Sequence, residues 1–178
     1  SYFANLRYER ELSERTYVYG SAGWERDRFA GIEDRWVGSA GVGRKLVDDD
    51  RTTFQVDLGV TATSEEPVAG DTDTFGGLRF TWDLGHQLTP TTRLTSALTV
   101  DENLAETEDL RAVLDNGIAV DISGALALKT GLKLSWDNLP ALEEVPLLDA
   151  PGGTQTGTVL TPLDELDTQL TMALVVTL

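Results

Sequence analysis

Hydrolytic chemistry needs a nucleophile with a base, and this chain offers a single histidine, His86, and no cysteine. Without a second histidine a catalytic triad has little to work with. His86 also falls in an apolar register beside a short turn, remote from the longer connections where such a site would be built. No catalytic residue is expected. Carboxylates are plentiful: Glu65, Glu66, Asp71 and Asp73 in one connection, Glu102, Glu106, Glu108 and Asp109 in the next, and Glu143 and Glu144 in the last. None has the alternate-residue spacing around a central glycine that a calcium loop requires, so solvated acidic loops are expected, with no resident metal or cofactor. Gly41-Val42-Gly43 is too short to cradle phosphate and lies inside a strand pattern, where glycine relieves curvature.

The best-ordered charges are Arg7, Glu9, Glu11, Glu25, Arg35, Lys45, Asp57, Arg79, Asp83, Arg111, Asp115, Asp121, Lys129 and Lys133. All share one register of alternating segments, opposite apolar residues. Their mixed signs point to cross-strand pairs that fill and rigidify a narrow interior more than to an open pore.

The elements that must position them are strands. Period-two alternation runs through residues 2–12, 16–26, 35–46, 52–62, 78–88, 94–100, 110–122, 126–136 and 166–178, with hardly any helical signal. The last segment is the clearest, with Leu166, Leu170, Met172, Leu174, Val176 and Leu178 on one face, and it has the length of a bilayer-crossing strand. Short turns at 13–15, 47–51, 89–92 and 123–124 alternate with a turn through Phe29 to Ile32 and longer connections at 64–73, 101–109 and 138–165. Short turns on one rim and longer loops on the other is the arrangement of outer-membrane barrels. Pro67, Pro90, Pro140, Pro146, Pro151 and Pro162 all fall outside these strands, as residues unable to donate to a ladder should.

Trp24, Trp36 and Trp136 sit on the apolar face at strand ends near the longer connections, where an aromatic girdle would lie; Trp82 is nearer mid-strand. A soluble ligand-binding barrel would turn the apolar face inward. Roughly five apolar side chains on each strand would overfill so small an interior, whereas the opposite set of small and charged residues fits one. Leu58, Phe80, Leu132, Leu170 and Leu174 are therefore expected to face lipid.

Composition sets the outer bounds. The 178 residues suit one domain over 1–178, and the net charge of -16 argues against nucleic acid, which needs concentrated Lys and Arg. That acidity suits solubility in salty surroundings, or a lumen or rim that concentrates cations. No apolar run approaches a membrane helix and no leader opens the chain, which for an exported protein is expected of a mature or trimmed sequence.

The chain carries Tyr17-Val18-Tyr19-Gly20, Trp24-Glu25-Arg26-Asp27-Arg28-Phe29, Gly31, Arg35, Gly41-Val42-Gly43-Arg44-Lys45-Leu46, His86-Gln87-Leu88-Thr89 and Ala125-Leu126-Ala127-Leu128-Lys129. In these stretches the chain resembles the domain family of unknown function that contains YdiY-like, salt-induced outer-membrane proteins. The resemblance implies a Gram-negative outer-membrane barrel with no established activity or catalytic residues. Members of that family carry further strands before the part matching Tyr2 and close on an aromatic where this chain has Leu178. The chain is trimmed, nine strands close by themselves, or the free edges pair with another chain.

The expectation is an all-β, antiparallel, up-and-down transmembrane-type barrel of about nine strands, non-enzymatic, structural or at most a narrow ion-permeable pore. Its partner would be outer-membrane lipid. The alternative is an extracellular or surface structural subunit, a homo-oligomer or polymer joined through strand edges and long loops. There Leu139, Leu142, Val145, Leu147, Leu148, Val159, Leu160 and Leu163 would dock on a neighbour.

Overall fold

The computed structural model describes residues 1–28, 31–68, 71–140, 142–148 and 153–176. Phe29, Pro151 and the closing Leu178 lie outside the described residues, as do the side chains of Glu143, Glu144 and Leu148. The strands are β1 (Tyr2–Ser13), β2 (Thr16–Asp27), β3 (Ile32–Asp48), β4 (Thr52–Pro67), β5 (Asp73–Thr89), β6 (Thr92–Asn103), β7 (Leu110–Ser123), β8 (Leu126–Asp137), β9 (Leu142–Leu148), β10 (Gln155–Pro162) and β11 (Leu166–Val176). Nine form one sheet in the order β1 to β8 and then β11, every neighbour antiparallel. It is an all-β, up-and-down meander whose end strands, β1 and β11, are not paired with one another among the described residues.

Three expectations need correction. Residues 64–67 and 73–77 are ladder rather than loop: Arg35 faces Glu65 across β3 and β4 and pairs with it, an opposite-charge contact between polar strand ends, while Asp34, which faces the like-charged Glu66, is held by Arg26 instead. The stretch 138–165 is not a plain loop; β9 and β10 pair within it as a separate two-stranded sheet. Pro146 consequently sits inside β9, which a hairpin tolerates because each strand keeps one free side where no donor is required. Pro67 and Pro162 are the last residues of their strands.

Between β2 and β3 the chain reverses through Gly31, whose φ of 76° is costly for a residue with a Cβ. The sheet bends strongly toward its polar face. Arg7 on β1 reaches Asp57 on β4 at 2.7 Å with two strands between them. A flat sheet would separate those backbones by about 14 Å, too far for side chains standing upright. Burial follows this curl and inverts the usual pattern. Tyr17 (2 % exposed), Tyr19, Asp57 (4 %), Asn103 and Asp109 are buried, while Leu58 (63 %), Leu170 (68 %) and Leu174 (61 %) on the convex side are open.

Candidate functional site: the charged concave face

Residues of β4 at odd positions share the concave face, from Gln55 to Glu65, and strand alternation places Asp57 near its middle. Asp57 accepts hydrogen bonds from Tyr17 Oη at 2.6 Å, Arg7 Nη2 at 2.7 Å and Thr81 Oγ1 at 3.1 Å. The buried carboxylate is thereby satisfied by three other strands, the condition under which burying a charge is tolerable. Arg7 also donates to Glu9 at 2.7 Å and lies 4.0 Å from the centroid of the Tyr19 ring.

The two tyrosine rings need room beneath them, which Gly41, Gly43 and Gly59 provide. A Cβ at Gly43 would overlap the Tyr17 ring, one at Gly59 the Tyr19 hydroxyl, and one at Gly41 would come within 2.8 Å of Tyr19 Cε1. The Gly41-Val42-Gly43 stretch thus does more than relieve curvature: it is the shelf on which aromatic rings lie across neighbouring strands.

Nearer the longer connections a second network crosses the face. Glu65 accepts from Arg35 at 2.8 Å and from Arg111 at 2.9 Å, while Arg35 also meets Glu25 at 3.3 Å. Arg111 completes its set with Asp109 at 2.9 Å and Asp137 at 3.4 Å. Asn103 Nδ2 donates to Asp109 at 3.1 Å. Between the two networks Arg79 binds Asp101 through two parallel bonds of 2.6 and 2.8 Å, the fork geometry that favours arginine. Toward the short turns Lys45 reaches Glu11 at 3.2 Å.

The remaining charges in this register are not drawn together. Asp115 and Lys133 are direct cross-strand partners yet form no ion pair among the described residues, and Asp83, Asp121 and Lys129 are exposed. Asp115, Asp121, Lys129 and Lys133 lie on β7 and β8, toward the β11 edge of the sheet, and Asp83 lies on the central β5; a solvated pair contributes little. Reading the carboxylates by loop misses Glu65 and Asp109. Glu65 continues the odd register of Asp57, Gly59, Thr61 and Thr63, a signal present in the alternation.

On the convex face Phe80 and Leu132 are exposed with the leucines above. Trp24 and Trp36 are cross-strand partners with ring centroids 6.2 Å apart, and Trp24 Nε1 donates to Asp34 at 2.7 Å. Trp136 lies opposite Ala112 and Leu166 at the same rim. Trp82 packs edge-on to Phe80 at 6.4 Å. His86 shares this face, with Nδ1 2.9 Å from Thr52 Oγ1. Among the described residues, charged side chains in the convex register lie only at its margins: Arg26, Asp34, Glu66 and Glu102 toward the longer connections, Arg10 and Arg44 toward the short turns.

Over 143 residues the chain is 24% identical to the uncharacterized protein YdiY of Escherichia coli K12, a match covering 78% of this chain and 54% of that one. The chain therefore spans about half the length of this curated relative. No solved structure matches. A family model matches residues 1–149, and the chain belongs to the family it describes, Protein of unknown function, DUF481.

Proposed function

We propose that the protein is a small, non-enzymatic outer-membrane β-barrel, structural or at most a narrow ion-permeable pore whose interior is crowded with paired charges. The carrying observation is the inverted burial, with leucines exposed on the convex face and carboxylates buried on the concave one. The charge-free belt between the convex margins supports it. From Asp34 to Arg44 the outward positions are Trp36, Gly38, Ala40 and Val42. Those ten residues span about 33 Å along a strand, or about 25 Å at a tilt of roughly 40°, the height of an outer-membrane barrel's apolar band. Interior networks reaching from β1 to β4 and from β4 to β7 favour a plugged lumen.

Refolding into detergent followed by electrophoresis of boiled and unboiled samples tests the reading. A heat-modifiable band is expected, and planar-bilayer recordings should show small or no conductance. A chain that stays monodisperse without detergent would refute it. One specific feature favours the second reading, a surface subunit that polymerises: the unpaired edges of β1 and β11, with every residue of β1 exposed. Regular polymers formed without detergent would establish that alternative.

A further inference from the structure

Resting on the outer-membrane reading, we infer that Arg10 and Arg44 form a binding site for the phosphate of anionic phospholipid headgroups in the leaflet beside the short turns. Both occupy the convex, apolar register: Arg10 is the cross-strand partner of Val18, Val18 that of Val42, and Arg44 follows two positions on. Two strand spacings and one two-residue step set their backbones about 12 Å apart. Both guanidinium arms can therefore reach a headgroup seated over Val18.

Each of the two is exposed and has no hydrogen bond or ion pair among the described residues. This is not for lack of carboxylates in the sequence. Glu9 and Glu11 flank Arg10, but alternation turns them to the concave face, where they hold Arg7 and Lys45. In the β3–β4 turn, Asp49 accepts from the backbone amides of Arg51 and Thr52, and Glu14 in the β1–β2 turn forms no ion pair with either arginine among the described residues. Arg26, at the opposite margin of the same face, is by contrast neutralised by Asp34.

A guanidinium left uncompensated beside Val42 and Leu46 extends toward the interface, and the anion that waits there is a phosphodiester, matched by arginine's planar fork. Charge complementarity thus selects the lipid headgroup as occupant.

The test reconstitutes the full chain into phosphatidylcholine bilayers with or without phosphatidylglycerol, and compares wild type with R10Q/R44Q. Lipid retained after detergent extraction is counted by native mass spectrometry. Wild type should retain phosphatidylglycerol over phosphatidylcholine, and the double variant should bind it roughly 30-fold more weakly, about fivefold for each arginine replaced. Retention unchanged in a variant that still gives a heat-modifiable band overturns this inference and leaves the membrane reading intact. A wild type with no heat-modifiable band in either bilayer removes both. Should R10Q/R44Q not fold, R10K/R44K keeps the charge without the fork, and its phosphatidylglycerol retention should fall between wild type and none; retention equal to wild type counts against the site.

Discussion

Arg111 on β7 donates to Glu65 on β4 at 2.9 Å although β5 and β6 lie between them in the sheet. Glu65 also accepts from Arg35 on β3, so one carboxylate ties three strands and records the bend that brings them together. Replacing Glu65 with Ala leaves two partly buried guanidinium groups facing each other. The expected loss is about 1–3 kcal/mol, between the values for exposed and buried pairs. A lowered urea midpoint, followed by tryptophan fluorescence in micelles, would register it. Glu65→Gln keeps an acceptor and should lose less; equal losses would mean that the neutral acceptor recovers nothing and that the whole effect lies in the charge.

Gly43 and Tyr17 form a second such relationship, through shape rather than charge. An added Cβ at Gly43 overlaps the Tyr17 ring and the Asp57 carboxylate together, and overpacking of this kind costs about 1–3 kcal/mol. Gly43→Ala should therefore destabilise. Combining it with Tyr17→Leu should cost less than the sum of the single changes, because the shortened side chain vacates the contested space. Additive losses in this double-mutant cycle would show that the ring and the glycine are not coupled.

The alternation that makes the meander legible rests on local pattern alone, so strand existence and facing can be read wherever apolar and polar residues take turns. It fades where both faces turn polar, at Ser64 to Glu66 and Asp73, because there backbone pairing continues past the apolar residues, with Arg35–Glu65 as its attractive cross-strand charge pair, and hydropathy does not report it. For the same reason loop composition places Glu65 and Asp109 in solvent. Their burial depends on Arg111, distant in sequence from Glu65 and brought near only by the curl of the sheet. The β9–β10 hairpin is obscured by Pro146, since proline argues against a strand unless the strand has a free side. Asp115 and Lys133 illustrate the converse: their register is legible from the alternation, but whether opposite charges close depends on an enclosing wall, which no single strand encodes.

Acid should weaken the β3–β4 turn. Two backbone amides, those of Arg51 and then Thr52, hold the Asp49 carboxyl below the usual carboxylate range. A depressed folded-state value means that the stabilisation is fully present above the unfolded value of about 4 and is lost as pH falls through the lower, folded one. Asp49→Asn should therefore flatten the acid limb of the unfolding midpoint plotted against pH, while moving it little once wild type is also protonated. An acid limb identical in the two proteins would show that the turn does not rely on this charge.

The strongest separation between membrane and soluble readings comes from placing a charge in the middle of the convex belt. Leu58 on β4 and Leu174 on β11 are both exposed on that face and lie in strands far apart in the sheet. If the face meets hydrocarbon, Leu58→Arg should impede bilayer insertion by roughly 2–4 kcal/mol, the cost of arginine near the midplane of an outer-membrane barrel. Leu174→Arg should cost less, because it lies closer to the end of its strand and the side chain can extend to the interface. In water the same substitutions would relieve an exposed apolar patch and raise solubility. Folding yields into vesicles, measured beside solubility without detergent, move in opposite directions under the two readings, so a variant that inserts as well as wild type and is more soluble places the leucine face against water.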